Sequence, residues 1–220
     1  TNVLNHYCDV EHEFVVQLTN PGVVITTEMV ISQMQKLQQI SSGFIIDNDS
    51  KAHMIADPLA MPKYEALFDL MSTLEGSSKI IIFAYYKTTI NILADAIKKR
   101  FGYTPAVFRG GMKSDEIAAQ KAAFNSDEGP DTLVSQSSVG SATHTLLGGK
   151  TKPCFSMCFF ENTYRLIDRR QAESRNHRKG QDYPVDYYDI ASSPAEMNII
   201  KALQEKTDTV KAIVDAVKST

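Results

Sequence analysis

From residue 79 onward the chain alternates two hydrophobic patterns. The continuous apolar run KIIIFAY (79–85), the strand and turn TPAVFRGG (104–111), and the strand-length segments DTLVSQS (131–137), CFSMCFF (154–160) and VDYYDIA (185–191) are separated by segments with helical spacing. KTTINILADAIKKRFG reads as an amphipathic helix with basic residues in its last turn and Gly102 just beyond. KSDEIAAQKAAF predicts a helix with Ser114 as N-cap, and YRLIDRRQAESRNHRKG (164–180) predicts another. A closing helix starts at Ser193, where SPAE forms a capping box with Pro194 at the first helical position. Before residue 79, KYEALFDLMSTL predicts a helix. TTEMVISQMQKLQQI (26–40) repeats apolar residues at Met29, Val30, Met34, Leu37 and Ile40, and GFIIDNDSKAHMI predicts two short strands around Asp47–Ser50. DPLAMP (57–62) is a connector with two prolines.

Continuous apolar strands alternating with helices predict an α/β fold, a parallel sheet with helices on both faces. Residues 1–62 form an N-terminal helical and hairpin extension, and 63–220 the sheet domain with its closing helix. Ligands of such sheets bind at the carboxyl ends of strands. The loops RGGMKS and QSSVGSATHT and the loop before Tyr164 all follow strands, which predicts that they share one edge.

The chain has 220 residues, 43% of them hydrophobic, and a formal net charge of −3. It is not globally basic, so a nucleic-acid contact requires a local patch. Lys150, Lys152, Arg165, Arg169, Arg170 and Lys179 are the candidates. No apolar run is long enough for a membrane helix, and no secretory signal opens the chain. An odd number of cysteines, three, points to a reducing compartment. Cys154 and Cys158 lie in an apolar run without further ligands at metal-binding spacing and read as buried strand residues.

Two segments resemble phosphate or metal motifs and fail. LLGGKT (146–151) has His144 where a P-loop needs glycine, and a strand rather than a helix follows. In DVEHEF, Val10 stands where an acidic metal-binding box needs glutamate. The chain nevertheless places Arg175 and Arg178 three apart, on one face of the predicted helix. Arginine stabilises charge on a transferring phosphoryl group.

The segment QAESRNHRKGQDYPVDYYDI resembles motif VI of the Swi/Snf-type helicase-like ATPases of superfamily two, matching at Gln171, Ala172, Arg175, His177, Arg178, Gly180, Gln181, Pro184 and Val185. KIIIFAYY is similar to motif IV, TLVSQSSVGSATHTL to motif V, KYEALFDLM to the opening helix of the second RecA-like domain, and SPAEMNIIKALQEKTDTVKAIVDAV to its closing segment. VISQMQKLQQISSGF resembles a stretch that precedes this domain in bacterial and phage members. Motif V departs from the family pattern, because Ser141 and Thr143 stand among the residues where glycines are usual.

The resemblance implies a RecA-like domain in which Arg178 is an arginine finger and Arg175 assists it. Gln171 would couple nucleotide state to domain closure, and Gly140 would lie at the ATP site. It implies Arg109, Lys113, Ser137 and Thr143 as contacts to the backbone of duplex DNA. ATP and Mg²⁺ would be held mainly by an N-terminal RecA-like domain preceding Thr1 in the same polypeptide. No metal site is expected in the chain itself, and the chain alone is expected not to hydrolyse ATP. A cytoplasmic protein of a bacterial or phage-infected cell is the expected setting. The alternatives are a non-catalytic RecA-like regulatory or interaction module, and an RNA-directed helicase of the same superfamily.

Overall fold

The computed structural model describes residues 2–19, 27–137, 139, 145–162, 165–177 and 179–205. Among them are two compact units: one holds the residues up to Tyr64 and those from Ala191, and the other spans Glu65–Ile190. The contact boundary thus falls two residues after the division at residue 62 read from the sequence. The closing helix groups with the N-terminal elements.

In the first unit, α1 (Asn2–Thr19) packs on α2 (Thr27–Ser41), which meets α7 (Pro194–Gln204) and the hairpin β1 (Phe44–Ile46)–β2 (Ala52–Met54). Sequence reading missed α1, although Tyr7 and Phe14, seven apart on one stripe, are both buried. Asp47 closes the hairpin by accepting from the amides of Asp49 and Lys51 and from His53 Nε2 at 2.6 Å. The prolines of DPLAMP bound a short 3₁₀ turn, Pro58–Ala60, capped by Asp57. Buried Lys63 pairs with Glu196 at 2.5 Å, and the Tyr64 hydroxyl donates to the Ser42 carbonyl.

The second unit is a parallel sheet of five strands in the order β4-β5-β3-β6-β7: Ala106–Phe108, Thr132–Gln136, Lys79–Ala84, Cys154–Phe159 and Asp186–Asp189. Every residue of β3 is buried, as a central strand covered on both sides requires. Ile81 and Phe83 join Phe108, Leu133, Met157 and Phe159 in one core layer, with Phe124 from α5 (Ser114–Phe124) and Ala172 from α6 (Leu166–Glu173). Side chains alternate across a strand, so Ile80 points to the other face. It lies there beside Met71 and Leu74 of α3 (Pro62–Leu74) and Phe101 of α4 (Lys87–Phe101). The α/β fold with helices on both faces is therefore present. Gly102 ends α4 at φ +78°, a left-handed conformation, with its amide bonded to the Lys98 carbonyl. The N-cap of α5 is Lys113 rather than Ser114, and Glu116 Oε2 accepts from the Lys113 amide at 2.8 Å.

β3 opens on a buried cation. Lys79 Nζ donates to the carbonyls of Phe124 (3.0 Å), Ser126 (2.6 Å), Gly129 (3.2 Å) and Pro130 (3.2 Å), and lies 5.6 Å from the centre of the Phe124 ring. Burial pulls its pKa below the usual lysine range. One carbonyl ends α5 and the other three belong to its connection to β5, so this ammonium fixes that turn at the amino edge of the sheet. Lys79→Met keeps most of the stem and strands four acceptors. Urea denaturation is expected to show a loss on the order of 1–3 kcal/mol; an unchanged midpoint would contradict this role.

Candidate functional site

The arginine-bearing segment is not one helix. α6 stops at Glu173, so Arg175 lies in a turn rather than on the helix expected over 164–180. The cause is local. The Ser174 hydroxyl bonds back to the Gln171 carbonyl at 2.8 Å, and the Arg175 amide to the Ala172 carbonyl at 3.1 Å. The next side chain is then drawn inward. Asn176 is fully buried and donates Nδ2 to the carbonyls of Leu146 (3.2 Å) and Cys154 (2.8 Å). Gln181 also bonds the Cys154 carbonyl and touches Asn176 Oδ1. These groups supply β6 with the amide partners that a continued helix would have withheld.

Arg175 is 3% exposed. Its Nη1 donates to Ser135 Oγ at 3.1 Å, and its Nη2 donates to the carbonyls of Ser137 (3.2 Å) and Val139 (2.7 Å). Its guanidinium carbon sits 5.4 Å from the centre of the Phe83 ring. Phe83 stacks on Phe159, whose ring carries the Arg169 guanidinium at 3.5 Å. Arg169 pairs with Glu173 at 2.6 Å and Asp189 at 2.5 Å, and donates to Asn162 at 2.7 Å. Arg169 therefore joins α6 to the ends of β6 and β7 and is spent inside the fold.

The loops after β4 and β5 emerge together at the carboxyl edge. Arg109 and Lys113 are exposed there, with Arg109 Nη1 held by Asn91 Oδ1 at 2.7 Å. The Gly110 amide donates to Gln136 Oε1 at 2.9 Å, and Gln136 Nε2 donates to the Tyr85 carbonyl at 3.0 Å. Lys87, which the sequence did not single out, approaches the same loop: a Cβ on Gly110 would lie 2.9 Å from its Cε. Ser137 is turned inward, 5% exposed, with its hydroxyl on the Ala84 carbonyl at 3.3 Å. Gln171 is exposed on α6. Gly140, Thr143 and Arg178 lie outside the described residues.

The basic residues proposed as one patch divide between the two edges. Arg165 follows β6 at the carboxyl edge, whereas Lys150 and Lys152 precede β6 at the amino edge, where Lys152 pairs with Asp131 at 3.1 Å. Lys179 lies in the segment that leads to the start of β7, where a cavity of about 290 Å³ is lined by His177, Lys179, Gln181, Tyr183, Pro184 and Val185.

Two places that could receive a phosphate, the glycines of LLGGKT and the N-terminus of α4, are filled by the protein itself. In LLGGKT, Gly148 is left-handed at φ +77°, and a Cβ there would lie 2.6 Å from the Cys154 amide nitrogen. A Cβ on Gly149 would lie 2.1 Å from Asp127 Oδ1. The glycines admit Asp127, which accepts from the amides of Thr151 (2.7 Å) and Lys152 (3.1 Å). The Thr151 amide first of all holds its carboxyl below the usual range. The N-terminus of α4 is likewise occupied: buried Glu161 accepts from the amides of Tyr85 (2.8 Å) and Tyr86 (3.1 Å) and from the Thr89 hydroxyl (2.6 Å). Burial pushes the Cys154 thiol up to about 12, so it is no reactive thiolate. Among the described residues no group of three His, Cys, Asp or Glu side chains is placed to hold a metal, and no helix is long and apolar enough to cross a membrane.

No family model matches the sequence, and no curated protein matches it significantly. Solved structures do. The C-terminal part of the Fun30 ATPase domain superposes with a TM-score of 0.60 at 17% identity, over 87% of this chain and 59% of that one. The Sulfolobus solfataricus SWI2/SNF2 ATPase core in complex with dsDNA gives 0.70 at 14% identity, over 96% and 45%. The C-terminal domain of the Sulfolobus solfataricus SWI2/SNF2 ATPase gives 0.64 at 14% identity, over 93% and 80%. This chain thus spans about half the length of the first two. The fold is RecA-like and is shared with the C-terminal ATPase domains of Swi2/Snf2 proteins.

Arg169→Met keeps contact with the Phe159 ring but leaves Asp189 without its cation. Denaturant unfolding is expected to show a loss of about 3 kcal/mol; a change within experimental error would show that Asp189 does not depend on Arg169.

Proposed function

We propose that this chain is the second motor lobe of an ATP-driven DNA translocase or helicase of the Swi/Snf type. The observation that carries the reading is a conjunction: a RecA-like fold, and an arginine motif whose turn is bonded through Arg175 to the end of β5. Next to that strand, the loop after β4 offers exposed Arg109 and Lys113. The likeness to a Sulfolobus ATPase core that binds dsDNA supports duplex DNA as the track. A motor must grip every sequence alike, so contacts to the phosphate backbone through Arg109, Lys113 and Thr143 suit it.

ATP and Mg²⁺ fit this chain only as a completing surface. The α4 N-terminus, where an anion binds in other proteins, is neutralised by Glu161, and the glycines of LLGGKT are packed against Asp127. A P-loop and an acidic box on a separate RecA-like domain of the same polypeptide would hold the nucleotide. From this chain Arg178 would stabilise the charge of the transferring phosphoryl group, with Gln171 and Gly140 alongside.

In the enzyme that combines this chain with its P-loop domain, Arg178→Ala is expected to lower DNA-stimulated ATP turnover by about 10³–10⁵. Lysine restores little, because the planar fork is lost. Near-normal turnover in the folded alanine variant would remove the finger assignment. Stimulation by RNA but not DNA would favour an RNA-directed helicase, and no turnover in the wild type would favour a regulatory module. Stimulation should fall steeply with salt and depend little on base sequence.

A further inference from the structure

Resting on that functional reading, we propose that Arg175 is a positioning residue which clasps both ends of segment 137–146 and ties it to the turn before Arg178. This differs from the phosphate contact that the family resemblance implies for it. The front of the segment is held by the guanidinium, on the Ser137 and Val139 carbonyls. The back is held by the backbone of the same residue, because the Leu146 amide donates to the Arg175 carbonyl at 3.3 Å. Asn176 adds its bond to the Leu146 carbonyl. One arginine thus bonds Ser137 and Val139 at the front of the segment and Leu146 at its back.

The surroundings fit a clasp better than a finger. The guanidinium is buried, lies over Phe83, and spends hydrogen bonds on Ser135, Ser137 and Val139. A phosphate reaching it would have to displace two carbonyls that are then left without this donor. A lysine ends in a single nitrogen and lacks the planar fork that here places Nη1 on Ser135 and Nη2 on Ser137 and Val139. In this arrangement a pull on segment 137–146 by bound nucleic acid reaches the turn at 174–176 through one rigid group. That route links the DNA-facing loops to the arginine motif.

The test uses Arg175→Lys, with Ser135→Ala as a milder variant that leaves Arg175 in place. Hydrogen exchange in peptides covering 137–146 of this chain is expected to accelerate about tenfold or more in Arg175→Lys, and less in Ser135→Ala, as a charge-assisted bond is lost. In the assembled ATPase, the DNA concentration for half-maximal stimulation should rise by a similar factor. Unchanged exchange in 137–146, with turnover lost by orders of magnitude and DNA half-saturation unmoved, would overturn the clasp and return Arg175 to the phosphate. A wild-type enzyme that DNA does not stimulate would defeat the motor reading, while the exchange result still decides the clasp. Should Arg175→Lys not fold, unchanged exchange in Ser135→Ala would count against the proposal and accelerated exchange for it.

Discussion

Two guanidinium groups rest on a pair of stacked phenylalanines, and the arrangement of the sheet domain follows from them. Phe83 and Phe159 stack at 5.1 Å on the neighbouring central strands β3 and β6. Arg169 lies on one ring and Arg175 over the other. Each arginine then carries its planar fork to a different part of the carboxyl half of the sheet: Arg169 to Asn162 and Asp189, Arg175 to Ser135, Ser137 and Val139. Burying two cations is unfavourable unless each is paired or bonded on most sides. That requirement fixes where α6 lies, where it stops, and how the loop after β5 leaves the sheet.

The two edges of the sheet are consequently unlike. At the amino edge, Lys79, Asp127, Asp131 and Lys152 are consumed in binding turns to one another. At the carboxyl edge, Glu161 satisfies the start of α4 and so leaves no anion site there, while Lys87, Arg109 and Lys113 remain exposed around Gly110. Among the described residues no ion pair joins these three to a carboxylate. An extended anionic partner would therefore meet the carboxyl edge, where cations stand apart from counter-charges.

Strand and helix order in the sheet domain was readable because continuous apolar runs and helical spacing differ plainly in period. The carboxyl-edge grouping of RGGMKS with the described start of QSSVGSATHT followed from topology alone. Helix α1 escaped because its stripe is thin, Tyr7 and Phe14 among charged neighbours. The overlong helix 164–180 arose because residues 174–177 carry no breaker. Buried Asn176 ends α6 by a tertiary bond that no local pattern encodes. For the same reason Arg169 read as a surface cation, Ser137 as an outward hydroxyl, and Lys150 and Lys152 as neighbours of Arg165. Charge is visible in a sequence, but the partner that neutralises it is not.

The proposed nucleic-acid face of this domain is the carboxyl edge of its sheet. Hydrogen exchange of the chain at low salt, with and without a short duplex DNA, tests it most directly. Slower exchange is expected in peptides covering 85–91, 109–113 and 137–146, with 126–131 and 147–153 unaffected. Protection centred on 126–131 and 147–153, or none at any salt concentration, would contradict it.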